Sequence, residues 1–288
     1  MDGAHFGAKA VRELLGEHGF RFSKSMGQNF LVDANIPEKL VRLSGVGRSC
    51  GVLEVGPGLG ALTFELARTV GRVTAVELDR RLVPILREAC AGYENVEILQ
   101  GDIMKMDVAQ LANEKMPGLE HHVCANLPYN ITTPALTAFI DSGAFESITV
   151  MVQREVARRI CAAPGTPDYG AFTVFVNYHS EPSTLFDVPP ECFVPRPGVH
   201  SSVVTMKRRG ERLLETDEER MFFRVVRAAF GQRRKTLVNA LHSTFGNGMQ
   251  KGEIEGVVLK CGFDARVRGE VLGIEEFARL SSFFGGLK

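Results

Sequence analysis

Between Gly51 and Met206, short β-branched runs alternate with segments long enough to form a helix. That alternation marks βα units feeding a mainly parallel sheet. The runs are GVLEV (51–55), RVTAVE (72–77), VEILQ (96–100), HHVCAN (121–126), SITVMV (147–152), AFTVFVNY (171–178) and SSVVTM (201–206). Helices are expected between the first five, and the last two runs lie close together. The fold class expected is α/β, a doubly wound and mainly parallel sheet of seven strands. After Met206 the pattern changes, because residues 208–288 are rich in Arg, Glu and Leu at helical spacing. They are expected to form a small all-helical C-terminal domain, with domain boundaries at 1–207 and 208–288. The stretch VPPECFVPRPG (188–198) holds four prolines and is expected to be extended or irregular.

A chain of 288 residues with 44% hydrophobic and 24% charged content can bury a full core, which argues against disorder. Lys plus Arg and Asp plus Glu are both 34, so net charge neither demands nor excludes a polyanionic partner. No apolar stretch approaches the roughly 18–20 residues that cross a bilayer, so no membrane role and a cytoplasmic location are expected. Cys50, Cys90, Cys124, Cys161, Cys192 and Cys261 are far apart, with no C-x-x-C pair and no His at ligand spacing. They are expected to be reduced thiols filling the core, and no metal is expected.

The run 51–55 leads directly into Gly56-Pro57-Gly58-Leu59-Gly60 and then a helix-forming segment. A glycine turn at the carboxyl end of a strand is where open α/β sheets bind ligands. Gly56, Gly58 and Ala61 also satisfy the dinucleotide pattern G-x-G-x-x-G/A, so NAD remains an alternative here. Glu77 ends the next strand, where its carboxylate can accept from both hydroxyls of an adenosyl ribose. Asp102, just after the third strand, is placed to accept from an adenine amine. Each carboxylate taken singly would also serve as a helix cap.

The segment Glu54 to Thr63 resembles the first motif of class I S-adenosylmethionine-dependent methyltransferases. After the fourth strand comes Asn126-Leu127-Pro128-Tyr129. An aromatic amine is a poor nucleophile, so an enzyme must hold its hydrogens and align it with the methyl group. The Asn126 amide oxygen and the Pro128 carbonyl are candidate acceptors, and Tyr129 offers a face on which a flipped base can stack. The tetrad is similar to the N/D-P-P-Y/F motif of amino-group methyltransferases, in the N-L-P-Y form of the ribosomal RNA adenine dimethyltransferases. Lys24 to Leu31 (KSMGQNFL), Asn126 to Pro134, Phe193 to Pro197 (FVPRP) and Arg233 to Leu237 (RRKTL) extend the resemblance over nearly the whole chain. Met26 and Gly269 depart from a usual Leu and a common Pro.

The resemblance implies a Rossmann-like class I methyltransferase domain whose N-terminal segment, 1–48, closes over the cofactor. By resemblance, Asn29 and Leu31 join Gly56, Gly58, Glu77, Asp102 and Asn126 as contacts of S-adenosyl-L-methionine. Asn126, Pro128 and Tyr129 are the catalytic candidates. Phe193 either walls the target-base pocket beside Tyr129 or is a core phenylalanine. The implied reaction dimethylates N6 of two adjacent adenines in the 3′-terminal hairpin loop of 16S rRNA during ribosome biogenesis.

From Lys207 to Lys235 there are ten Lys or Arg and five Asp or Glu, a local excess of +5. Arg233, Arg234 and Lys235 are therefore candidate phosphate contacts in a helical RNA- or ribosome-binding domain. Overall neutrality suggests a shaped partner, the immature small ribosomal subunit, rather than naked RNA. A monomer is expected, because no large unexplained apolar helix face stands out. The alternatives are a macrolide-resistance type 23S rRNA adenine methyltransferase, which usually carries Ile where this chain has Leu127, and a mainly non-catalytic small-subunit assembly factor.

Overall fold

A computed structural model describes residues 7–17, 28–210 and 213–285. Lys24, Ser25, Met26 and Gly27 of the N-terminal motif lie outside the described residues. The chain divides into two compact units, Met1–Ala157 with Ser183–Arg208, and Arg158–Pro182 with Arg209–Lys288. The expected boundary after residue 207 therefore needs correction, because residues 158–182 belong to the second unit.

The first unit begins with α1 (Ala8–Glu17), β1 (Phe30–Leu31) and α2 (Asn35–Ser44). There follow β2 (Cys50–Val55), α3 (Ala61–Thr69), β3 (Arg72–Glu77), α4 (Leu82–Ala89) and β4 (Val96–Gln100). Next come α5 (Val108–Lys115), β5 (Glu120–Asn126), α6 (Thr132–Ser142) and β6 (Ser147–Gln153). Beyond α7 (Arg154–Ile160) and α8 (Ala171–His179), the strands β7 (Ser180–Val188), β8 (Phe193–Val194) and β9 (Ser201–Arg208) complete the set. The seven-stranded sheet has the order β4-β3-β2-β5-β6-β9-β7, with β1 and β8 paired separately. Four pairings from β4 to β6 are parallel and β6 with β9 is antiparallel. The expected α/β class with a mainly parallel seven-stranded sheet is the one observed.

Every residue of β2 is buried, which is why its sequence is almost continuously apolar. From β2 the chain steps outward through β3 to β4, then returns to lay β5 on the other side of β2. The crevice where the connections diverge opens at the carboxyl ends of β2 and β5. The start of α5 carries its own cap, because Asp107 accepts from the amides of Ala109 and Gln110.

The run 171–178, expected as a strand, is instead the helix α8, and the missing strand is β7. In the second unit Val174 and Tyr178, one helical turn apart, are buried in a core with Phe222, Val225, Phe277 and Leu280. Tyr178 packs on Phe222 at 4.9 Å between ring centroids. Burial on a helical face overrides the β-branched composition of the run. β7 is hard to read because Pro182 interrupts it, and a proline is tolerated there because β7 is an edge strand. The rest of the second unit comprises α9 (Thr216–Gly231), α10 (Leu237–Phe245), α11 (Lys251–Lys260) and α12 (Ile274–Ser282). Tyr169 closes its core by donating to the Leu272 carbonyl at 2.8 Å.

Candidate active site

A single cleft in the first unit gathers Asn29, Leu31, Gly56, Gly58, Glu77, Asp102, Asn126 and Tyr129. The glycine turn after β2 starts it. Gly56 and Gly58 have φ of 68° and 61°, a left-handed backbone that suits glycine. At Gly58 a side chain would also lie 2.9 Å from the Phe30 ring, so the loop and β1 close together only because that position is bare.

Glu77, at the end of β3, is 5% exposed. Its Oε2 accepts from the Gly58 amide at 3.1 Å and its Oε1 from the Asp79 amide at 2.8 Å. Burial pushes its pKa up, opposed by those two amides. An ionised carboxylate has acceptor capacity beyond these two bonds. Asp79 in turn accepts from Arg81, and also from the Gln28 side-chain amide at 3.0 Å. The Arg81 side chain holds its carboxyl down at about 2. Asp102 follows β4, and its Oδ1 accepts from the Met104 amide at 3.1 Å.

Beneath the loop, Glu54 is 1% exposed and accepts from the Thr63 hydroxyl at 2.7 Å. Burial raises its pKa to about 8, with the Glu77 charge acting in the same direction.

Asn126 ends β5, and its Nδ2 donates to the Asn29 carbonyl at 3.2 Å. That bond orients the amide and leaves Oδ1 as an acceptor. The Pro128 carbonyl is a different case from the one expected. It already accepts from the Ile131 amide at 3.1 Å and the Thr132 hydroxyl at 3.2 Å, which open the turn into α6. Both bonds commit its lone pairs to the fold, and the neighbouring Leu127 also lines the cleft. Tyr129 is held by its hydroxyl, 2.8 Å from Ser201 Oγ, and burial raises its pKa.

Phe193 is not among the residues lining this cleft. It is 2% exposed in a core with Leu31, Leu40, Val52 and Val203, and β1 pairs it with Leu31. Of the two expectations for Phe193, its burial among these residues is that of a core phenylalanine, and it does not reach the cleft that Tyr129 lines. In the second unit Arg233, Arg234 and Lys235 are exposed between α9 and α10. They are not equivalent, because Arg233 Nε pairs with Glu270 at 3.2 Å and its Nη2 donates to the Pro167 carbonyl. Gln28, Asp79, Leu127 and Ser201 escaped the sequence reading. Gln28 lies inside the KSMGQNFL motif and Asp79 two residues after Glu77, whereas nothing local marks Ser201 as Tyr129's partner.

The sequence matches the ribosomal RNA adenine dimethylase family over residues 19–278. Proteins named Ribosomal RNA small subunit methyltransferase A are similar throughout. That of Caldanaerobacter subterraneus subsp. tengcongensis is 46% identical over 259 residues, covering 90% of this chain and 96% of its own. That of Anoxybacillus flavithermus is 44% identical over 274 residues, covering 94% of this chain and 93% of its own. Among solved structures, the 23S rRNA methyltransferase ErmE aligns with a TM-score of 0.70 at 26% identity, over 88% of this chain and 98% of that one. A dimethyladenosine transferase from Plasmodium falciparum has the same fold, with a TM-score of 0.74 at 24% identity, over 88% and 97% of the two chains. A glycine turn beside paired carboxylates, an N-L-P-Y tetrad at the crevice and a match of this extent have one common explanation: the chain belongs to the ribosomal RNA adenine dimethylase family.

Proposed function

We propose that this chain dimethylates N6 of two adjacent adenines in the 3′-terminal hairpin loop of 16S rRNA, using S-adenosylmethionine. The observation that carries the reading is Asn126, its amide oriented by Asn29, beside Tyr129 at the mouth of the cleft. Bound S-adenosylmethionine supplies an electrophilic methyl on a sulfonium. The cleft suits it, since a bare Gly58, a buried Glu77 carboxylate and Asp102 line one wall. Glu77 would accept from the ribose hydroxyls, Asp102 from the adenine amine, and the glycine turn would lie along the methionine portion, with Asn29 and Leu31 covering it.

Asn126 Oδ1 and the Leu127 carbonyl accept the two hydrogens of the target amine. Held so, the nitrogen would be more pyramidal, with its lone pair available to the methyl group that the bound cofactor would supply. No strong base is required, because the nitrogen loses its proton readily once it is alkylated. Tyr129 stacks the extruded base, and Ser201 fixes the angle of its ring. The same acceptors hold a monomethylated amine through its remaining hydrogen, which permits the second transfer.

The substrate is the immature small subunit, met by a monomer through Arg234 and Lys235 among other contacts, and such a substrate places the protein in the cytoplasm. Among the described residues no helix is long and apolar enough to cross a membrane. The greater identity to small-subunit enzymes, 42–46%, than to ErmE, 26%, favours 16S over 23S RNA. Incubation with labelled S-adenosylmethionine and undermethylated small subunits, followed by digestion and mass spectrometry, should yield N6,N6-dimethyladenosine. Label appearing only in 23S RNA, or subunit binding without transfer, would refute the assignment.

A further inference from the structure

Three residues that are scattered in the sequence meet at the amino-terminal edge of the sheet. The parallel pairing of β2 with β5 sets Cys50 beside Glu120 and Val52 beside His122. Alternate residues of a strand share a face, so Cys50, Glu120 and His122 project to one side. His121 takes the other side, with its Nε2 3.0 Å from the Met116 carbonyl. Cys50 Sγ, a Glu120 carboxylate oxygen and a ring nitrogen of His122 lie within 4.8 Å of one another. His122 Nδ1 is 2.8 Å from Ser147 Oγ, while its Nε2 is buried with no hydrogen-bond partner among the described residues. A buried ring nitrogen gives up its hydration for nothing unless something binds it.

We propose that Cys50, Glu120 and His122 form a zinc(II) site, with water in the fourth position, at the opposite end of β2 from the glycine turn. Thiolate, imidazole and carboxylate together are a borderline-soft donor set that suits zinc and does not suit magnesium or calcium. Ser147 Oγ can accept from Nδ1–H, the arrangement that leaves a lone pair at Nε2 and the usual second contact of a metal-bound histidine. Burial lowers the His122 pKa, which keeps the ring neutral, although the carboxylates of Glu120 and Glu146 oppose this and His121 assists it. Glu146 is itself paired with Arg208, so it does not compete for the metal. Bonds of about 2.0–2.3 Å put tetrahedral ligand atoms roughly 3.3–3.8 Å apart, so the three groups, within 4.8 Å of one another, must draw in by up to about 1.5 Å. Glu120 is exposed and free to swing inward. The metal would fasten β2 to β5 and is separate from methyl transfer.

The test is titration of the chelator-stripped full-length protein with cobalt(II) alone, followed by displacement with zinc(II). One equivalent should bind with a thiolate-to-cobalt charge-transfer band and the intense visible bands of tetrahedral cobalt. Cys50→Ser should abolish the charge-transfer band, and Glu120→Gln should keep it while weakening binding at least about tenfold. Glu120 is exposed, so that variant folds even if changes at the buried positions do not. Absence of the band at stoichiometric cobalt, its persistence in Cys50→Ser, or equal affinity in Glu120→Gln and the parent would each overturn the assignment.

Discussion

The side chain of Asn126 and the backbone of Asn29, 97 residues apart, are joined by a hydrogen bond of 3.2 Å from Nδ2 to the carbonyl. It ties the tetrad to Asn29 across the cleft that both residues line, so one bond orients the Asn126 amide and joins two stretches of the wall. Asn126→Ala is expected to lower kcat by about 10²–10³, the usual effect of losing one positioned hydrogen-bonding group. Subunit binding should be retained. Methyl incorporation measured beside subunit co-sedimentation checks both.

Tyr129 is expected to act through its ring, and its hydroxyl through Ser201. Tyr129→Ala should cost about 1–3 kcal/mol of base stacking and raise KM for the RNA correspondingly. Tyr129→Phe and Ser201→Ala keep the ring and should change kcat only several-fold, each by losing the same 2.8 Å bond. The double variant should then be no worse than either single one, which steady-state kinetics would show.

Glu54 makes stability depend on pH. Its folded pKa of about 8 lies above the ordinary 4.5, so between these values the native state keeps a proton that the unfolded chain releases. Stability therefore falls as pH rises through this window, by an amount on the order of 5 kcal/mol at the limit. Glu54→Gln retains an acceptor for Thr63 without the charge. Melting temperatures of the ligand-free proteins from pH 5 to 9 should fall more steeply for the parent than for the variant.

Gly58→Ala combines two penalties, a left-handed φ of 61° and a contact of 2.9 Å with Phe30. The backbone alone costs roughly 1–2 kcal/mol for a residue with a Cβ. Calorimetry should show a lower melting temperature, and titration calorimetry a weaker affinity for S-adenosylmethionine.

The basic residues after α9 should separate by salt dependence. Arg234→Ala and Lys235→Ala are expected to reduce the slope of log K against log salt for subunit binding by about one per lost phosphate contact. Arg233→Ala should chiefly lower the melting temperature, because its guanidinium is bonded to Glu270 and Pro167.

The strands of the sheet and the residues at their carboxyl ends were legible because burial on both faces writes itself as apolar runs, and Gly56, Glu77, Asp102 and Asn126 sit at fixed places after them. Local reading failed where distant packing decided. Residues 171–178 alternate like a strand but are helical because Val174 and Tyr178 share a buried face. Phe193 sits in a motif that pointed toward the base, yet strand pairing with Leu31 turns it into the core. The Pro128 carbonyl was eligible on composition alone, and only the turn into α6 reveals it as engaged. Cys50 and His122 carry no spacing signal, since what joins them is the register of two strands.

The outermost strands have a further consequence. Pro182 lacks an amide hydrogen in β7, and on the opposite margin Glu97 in β4 is clasped by Arg72 and Lys115. A second copy arriving edge-on would meet an interrupted row of donors at one margin and a bridged carboxylate at the other. Both features work against edge-to-edge pairing of this sheet with a second copy.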